Sequence, residues 1–321
     1  MRRMLVRIVS LLPSATEIVC SLGLRGELVG VSHECDHPPS VATLPKVTRT
    51  LIPCEASSHE IDRLVRQRLQ TQQALYTLDM ETLERLRPDL IVTQALCDVC
   101  AVAEAEVQEA ACQLPGTPRV LNLEPMSLND VFDTLLMVGE ATGRDALAKE
   151  AGANLKARVE RVAERTRRAV HERARVVHLE WIDPPFNAGH WTPELIELAG
   201  GIDCIGNRGK PSCTTSWQTV RDAQPDVLFV AMCGFDIARS LKDMPILEAQ
   251  PGWFELPCVR QSRIYVADGH QYFNRPGPRL VDSLEMLAHA LYPHIHPIAD
   301  GVPTAQRIKY RTGFHNKAGI A

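Results

Sequence analysis

Arg87-Pro88-Asp89-Leu90-Ile91-Val92-Thr93 is echoed almost residue for residue by Gln224-Pro225-Asp226-Val227-Leu228-Phe229-Val230. Each stretch reads as a strand entered through Pro-Asp, and the surroundings of the two are alike. Upstream of the first, Val6 to Val9 is a short β-branched run. A turn follows it, then residues 15–23 with helical spacing ending at Gly23, and then a second strand over residues 28–32. Residues 119–123 predict a further strand. In the second half, residues 175–180 read as a strand, and residues 192–201 as a helix with proline near its start and glycine at its end. Arg263 to Val266 then echoes Arg119 to Leu123. This alternation predicts an α/β protein of two Rossmann-like lobes with parallel sheets, related by an approximate internal repeat.

Residues 127–170 lack proline and open on a capping box, Ser127-Leu128-Asn129-Asp130, with apolar residues at helical spacing and a break at Gly143. They predict a long rigid helical connector. The expected domains are an N-terminal lobe over 1–125, the connector over 126–170, a C-terminal lobe over 171–296 and a loosely ordered tail over 297–321.

The chain's 321 residues, 45% of them hydrophobic, are enough for two cored domains. Lys plus Arg total 35 against 39 Asp plus Glu, a net charge of −4, which gives no general attraction to nucleic acid or to anionic lipid. No run approaches the roughly 20 apolar residues of a spanning helix, and the mean hydropathy is −0.11. Arg2 and Arg3 precede an apolar run that is short, broken by Arg7 and not followed by a small-residue cleavage site. It reads as a first strand, and the expected location is cytoplasmic, or periplasmic if the true start lies elsewhere. Ten cysteines are too sparse for a disulfide scaffold, so they are expected as thiols, available as ligands.

Ligands of open parallel sheets sit beyond the carboxyl ends of the strands. In the first lobe those ends carry Ser14, then His33-Glu34-Cys35-Asp36, then Gln94 and the pair Cys97 and Cys100. In the second they carry Glu180-Trp181, Pro185-Phe186, Gly189-His190-Trp191, then Cys233 and Phe235, then Tyr272-Phe273-Asn274-Arg275. Aromatics are only 5% of the chain, so their clustering predicts a binding cleft between the lobes for a large flat ligand with polar edges, against the alternative that the rings pack the loops. Trp217 is read equally as a further wall and as packing.

Cys97-x-x-Cys100 supplies two of the four ligands of a structural zinc site; Cys35 with His33, Cys233 or His190 are the candidates for the rest. A redox reading and ordinary buried thiols are the alternatives. The remaining cysteines inside predicted elements are expected in cores, and His294 and His296 in solvent. No G-x-S-x-G, H-E-x-x-H or G-x-G-x-x-G is present, and Gly209-Lys210 fails as a phosphate loop because Cys204 stands at the first glycine position and Pro211 follows the lysine. No spacing pins a catalytic carboxylate pair together, so no catalytic residue is expected.

Arg7 to Glu17, Val29 to Ser32 with Asp36 and Pro38-Pro39, Leu86 to Ile91, Asp183-Pro184-Pro185-Phe186 with Gly189, and Ala199-Gly200-Gly201 together resemble the class III substrate-binding proteins of ABC importers, over about residues 5–293. Gln94-x-x-Cys97-x-Val99-Cys100 and Phe273 to Arg279 are similar to a cobalamin-binding-like group within that family. The resemblance implies the periplasmic-binding-protein fold, little hinge motion, and cobalamin or a siderophore-like chelate held between the lobes. Taken with the residues, the expected function is non-catalytic binding of cobalamin or another corrinoid, with Trp181, Phe186, Trp191 and Phe273 against the ring and His33 or His190, as a neutral imidazole, the candidate ligand to cobalt. It also implies a small-molecule ligand and an ABC permease as partners. Family members dock through one exposed glutamate per lobe; Glu81 fits the first position, but Gln218 occupies the second, a departure that weakens the case for docking. The alternative from the residues is a cytosolic Cys/His protein or metal-dependent enzyme holding zinc or iron at Cys97 and Cys100. A siderophore or haem binder ranks third, since the rims offer only Arg275, with Arg208 and Lys210 nearby, as basic residues.

Overall fold

The computed structural model describes residues 6–53, 55–71, 75–94, 102 and 104–310. Contacts divide the chain into two units, Met1–Arg158 with Arg275–Leu280, and Val159–Asn274 with Val281–Ala321.

Unit 1 begins with β1 (Ile8–Ser10), α1 (Pro13–Ser21), β2 (Leu28–Val31), β3 (Thr48–Thr50), α2 (Ser58–Gln70), β4 (Tyr76–Leu78) and α3 (Met80–Leu86). It continues through β5 (Leu90–Thr93), α4 (Glu104–Gln113), β6 (Arg119–Asn122), α5 (Leu128–Thr142) and into α6 (Asp145–Ala169). Its main sheet is parallel in the order β2-β1-β5-β6. Val9 and Ile91, in register on neighbouring strands, are buried with Leu83, Val107 and Leu114. The capping box forms at Ser127 and Asp130, and Gly143, at φ 64, ends α5. α6 then runs unbroken across the division between the units, which falls at residues 158–159.

Unit 2 holds β7 (Arg175–Trp181), β8 (Phe186–Asn187), β9 (Gly189–His190), α7 (Thr192–Leu198), β10 (Ile202–Asp203), β11 (Asn207–Arg208) and α8 (Trp217–Asp222). β12 (Val227–Val230), α9 (Ile237–Glu248), α10 (Pro257–Arg260), β13 (Ile264–Val266), α11 (Leu280–Leu291) and β14 (Gln306–Ile308) follow. Strand order is β10-β7-β12-β13, the order of unit 1, with β14 added antiparallel beyond β13. Among the described residues no helix is long and apolar enough to cross a membrane.

The two Pro-Asp entries are built alike. A residue preceding proline is driven out of the helical region, and Arg87 and Gln224 take up φ 45 and φ 42 after α3 and α8. The Asp89 carboxylate accepts from the Arg7 N–H at 2.8 Å, and the Asp226 carboxylate from the Arg175 N–H at 2.9 Å. Each aspartate thereby joins its strand to the first strand of its own sheet, before the ladder bonds begin. The internal repeat is thus a repeat of hydrogen bonding as well as of sequence.

Several expectations change. Residues 275–280, expected in the C-terminal lobe, belong to unit 1, where Arg275 and Arg279 pair with Glu17 and Asp36. The tail, expected to be loosely ordered, supplies β14. Its Arg307 donates to the Ser262 carbonyl at 2.6 Å, and its Tyr310 hydroxyl to Glu248 at 2.8 Å, so the open edge of β13 is covered. His296, expected in solvent, is buried, because its imidazole reaches the Thr166 hydroxyl at 3.1 Å. Cys258 lies in the core as expected, whereas Cys112 is exposed and Cys20 and Cys204 are half-buried.

Candidate functional site

In unit 2 the site residues sit where β7 leaves its sheet. The chain turns through residues 182–185 and returns antiparallel as β8, pairing Trp181 with Phe186. Trp181 stays half-buried, its Nε1–H donating to the Asp183 carbonyl at 3.1 Å, and its ring lies 4.9 Å from that of Phe235. Arg239 stands 4.2 Å from the other ring of this pair, Phe235, as a cation–π partner. Cys233, exposed, donates its N–H to the Glu180 carbonyl at 3.0 Å.

Glu180 is the chemically unusual member. Its Oε1 accepts from the Gly189 N–H at 2.8 Å, and the Ser212 side chain donates to it as well. Burial nevertheless pushes its carboxyl up to about 7, outweighing both hydrogen bonds. Glycine at 189 is a requirement of packing: a Cβ there would stand 2.2 Å from the Ser212 backbone nitrogen. Close approach of the 211–212 backbone is therefore what brings Ser212 to Glu180. Sequence reasoning missed Ser212; its place in Pro211-Ser212-Cys213, a turn-rich stretch between elements, was the available signal.

His190 follows Gly189 in the chain at φ 51, its ring 5.2 Å from that of Trp191. Burial lowers its pKa, and its Nε2 has no hydrogen-bond partner among the described residues. Two of the predicted aromatics, Trp191 and Phe273, turn inward. Trp191 is buried with its Nε1–H on the Phe273 carbonyl at 2.6 Å, and Phe273, 1% exposed, packs on His178 and Phe229. Both rings belong to the core of unit 2, because the strand-end loop folds back over its own sheet. Trp217, half-buried, packs on Trp253 at 5.9 Å and donates to the Pro251 carbonyl. Asn274 ties its loop down through the Ala231 and Gly269 carbonyls, while Tyr272 and Pro185 are half-buried in the same loops.

In unit 1 the strand ends present His33 in a defined tautomer. The Thr48 hydroxyl donates its one proton to Ser32 Oγ at 3.2 Å, so the contact of 2.7 Å between His33 Nδ1 and Thr48 Oγ1 requires Nδ1–H as donor. Nε2 is then a lone pair, without a hydrogen-bond partner among the described residues, with Glu34 Oε1 4.0 Å away. Burial lowers the pKa of this imidazole, favouring the neutral, ligating form. Cys35 is buried against Thr16 Oγ1 at 3.1 Å, and burial pushes its thiol up to about 11, so it is a poor thiolate source.

Glu17, 4% exposed, receives both nitrogens of an Arg279 fork, at 3.0 and 2.6 Å, and Arg275 at 3.3 Å. Arg275 also donates to Asp36 at 2.6 Å. These two arginines and two acids form an internal network of unit 1, which assigns Arg275 and Asp36 a structural task. Ser14, in the first turn of α1, and Gln94, just after β5, are buried, and Gln94 Oε1 has no hydrogen-bond partner among the described residues. Cys97 and Cys100 lie outside the described residues. Among the described residues no cluster of three or more His, Cys, Asp or Glu side chains is arranged to hold a metal ion.

Glu81 and Gln218 occupy the same position in equivalent helices. Each is the second residue after an N-cap, Asp79 in α3 and Ser216 in α8, and both caps accept from the N–H three residues on. Both side chains are exposed.

Comparison with known proteins is consistent with this architecture. The chain is 23% identical over 295 residues to the uncharacterized ABC transporter substrate-binding lipoprotein YvrC of Bacillus subtilis, covering 89% of this chain and 80% of that one. It is 23% identical over 283 residues to the vitamin B12-binding protein of Vibrio cholerae serotype O1, covering 88% and 87%. Among solved structures, the apo periplasmic heme-binding protein RhuT from Roseiflexus sp. RS-1 superposes with a TM-score of 0.67 at 24% identity, covering 90% of this chain and 99% of that one. A family described as periplasmic binding protein matches residues 8–270, and the chain belongs to that family.

Proposed function

We propose that the protein binds cobalamin or a related corrinoid, without catalysing a reaction, through the loops at the carboxyl ends of its parallel strands. The observation that carries this reading is the Trp181–Phe235 pair at the end of β7: a half-buried indole on an aromatic neighbour suits a flat macrocycle, and the Glu180 carboxyl on the preceding residue, raised to about 7, suits an amide edge. The similarity to a protein named vitamin B12-binding supports the same choice. His33, with its Nε2 lone pair set by Thr48, is the residue we propose as a ligand to cobalt, and His190 is the second candidate. Delivery to an ABC permease through Glu81 belongs to the same proposal. Binding of haem is the second reading, favoured by the same His33 lone pair and by the similarity to a heme-binding fold.

Calorimetric titration of metal-free protein with aquocobalamin, cobinamide and hemin, and with a zinc salt in parallel, tests these readings. Saturable one-to-one binding of both corrinoids is expected, with hemin weaker. Tight hemin uptake without corrinoid binding would transfer the assignment to haem, and zinc uptake alone would defeat both. A bound-aquocobalamin absorption band unchanged in both His33→Ala and His190→Ala would remove the proposed cobalt ligand.

A further inference from the structure

Arg239 is the third residue of α9, and its Nη1 donates to Asp243 Oδ1, one turn further on, at 3.0 Å. A base in the first turn followed by an acid is the less favourable order for a helix, whose dipole favours acids at its start. Helix stability therefore does not explain this pair. Asp243 is 7% exposed, and its Oδ2 is buried without a hydrogen-bond partner among the described residues. A buried carboxylate holds its cation close, so the guanidinium is anchored.

The anchored guanidinium lies over the ring of Phe235, its carbon 4.2 Å from the ring centroid. Phe235 is 7% exposed and its backbone is held: its N–H donates to the Met232 carbonyl at 3.0 Å, and its carbonyl accepts from the N–H groups of Gly269 and His270 at 3.0 and 3.1 Å. The ring of Trp181 follows 4.9 Å away, tilted by 46°. A half-buried side chain keeps rotamer freedom unless its neighbours remove it. The bond from Trp181 Nε1–H reaches Asp183, two residues along the same chain, and so ties the indole to its own turn. Phe235 ties it to the neighbouring strand end, after β12, and Arg239 holds Phe235.

We propose that Arg239 is the positioning residue of the flat-ligand site: held by Asp243, it fixes the Phe235 ring, and Phe235 fixes the tilt at which the Trp181 indole meets the ligand. The role rests on the reading of Trp181 as a wall for a flat macrocycle. Arg239 acts without touching the ligand. It sets the fraction of free protein whose indole is already in place, and the apparent dissociation constant is the intrinsic one divided by that fraction. Loss of the arginine therefore lowers the association rate and leaves the dissociation rate nearly unchanged, whereas loss of a contacting group raises the dissociation rate.

The test uses the full chain and the variant R239Q/D243N, which removes both charges together and so strands neither. Arg239→Lys is the second variant: it keeps a charge opposite Asp243 but not the planar guanidinium. Each protein is labelled with fluorotryptophan. The chain has four tryptophans, and the fluorine NMR line of Trp181 is the one lost in Trp181→Leu. In ligand-free protein both variants should shift or broaden that line and leave those of Trp191, Trp217 and Trp253 in place. Stopped-flow mixing with aquocobalamin should show affinity about fivefold weaker in R239Q/D243N, as for a competent fraction reduced to about one fifth, with nearly all of the loss in the association rate. In a Trp181→Leu background the same two substitutions should change the affinity no further, the non-additivity expected of residues that act through one another. A Trp181 line unmoved in both variants, wild-type affinity in R239Q/D243N, a loss carried by the dissociation rate, or an equal loss in the Trp181→Leu background would each overturn the proposal. Absence of corrinoid binding by the wild type would instead defeat the corrinoid reading, and the fluorine spectra of ligand-free protein would still decide whether Arg239 holds Trp181.

Discussion

Replacing His178 with leucine isolates the energetic effect of a histidine held neutral in the core. His178 lies in β7, fully buried, in register with Phe229 on β12; its ring is stacked 5.5 Å from that of Phe229 and lies 5.5 Å from that of Phe273. Neither ring nitrogen has a hydrogen-bond partner among the described residues, and burial lowers its pKa to about 3. The unfolded imidazole titrates near 6.5, so above that pH neither state binds the proton. As pH falls from 6.5 toward 3, the unfolded chain takes up the proton and the folded one does not, so stability falls by about 1.4 kcal/mol per pH unit. Between pH 7 and pH 5 the loss from this residue is about 2 kcal/mol. For a protein of this size that is roughly 4–8 °C of melting temperature. Wild type and His178→Leu are to be melted at both pH values, following circular dichroism. The wild type should lose roughly 4–8 °C more than the variant across that interval, while at pH 7 the variant, relieved of two unpaired buried nitrogens, should be no less stable. Equal losses in the two proteins would refute the reasoning, because every other titrating group is common to both.

Glu180→Gln should raise the melting temperature at pH 8 and change it little at pH 5. The folded carboxyl, at about 7, lies above its unfolded value, so the folded state is favoured below the unfolded pKa and loses that advantage as pH rises through 7; a shift of equal size at both pH values would contradict this. Glu17→Leu strands Arg275 and Arg279 in a buried network and should cost about 3–5 kcal/mol in chemical denaturation, and a loss under 1 kcal/mol would mean that the network is solvated in the folded state. Gly189→Ala forces its Cβ against the Ser212 backbone and should destabilise by about 1–3 kcal/mol. Because it displaces the donors to Glu180, it should also weaken corrinoid binding, and calorimetry showing unchanged affinity would separate that loop from the ligand.

Much of the fold was legible in short stretches. The Pro-Asp entries, the capping box at Ser127, the break at Gly143 and the recurrent strand runs each act within a few residues, and each formed as read. The loop from Glu180 to Trp191 was legible as a candidate site from its residue types alone. The way that loop is built was not. Trp181 stays half-buried while Trp191 closes onto the Phe273 carbonyl, a bond across 82 positions of sequence. Glu180, half-buried, meets Gly189 where the 211–212 backbone passes close, a contact with no local signature. Likewise, His296 reads as a solvent residue until Thr166 is brought to it across 130 positions.

What the sequence alone determined, then, is the order of elements and their internal repeat, since β-branched runs, helix caps and proline-bounded entries are set by neighbours along the chain. The tertiary structure decided which chemistry-bearing residues are available and in what state. It placed residues 275–280 in unit 1 through Arg275 and Arg279, which meet Glu17 across sequence separations of 258 and 262. It set the neutral tautomer of His33 through a single threonine hydroxyl, and it raised the Glu180 carboxyl. The physical reason is that burial and hydrogen-bond partnership depend on which distant segments pack together, and a side chain's protonation follows from that packing.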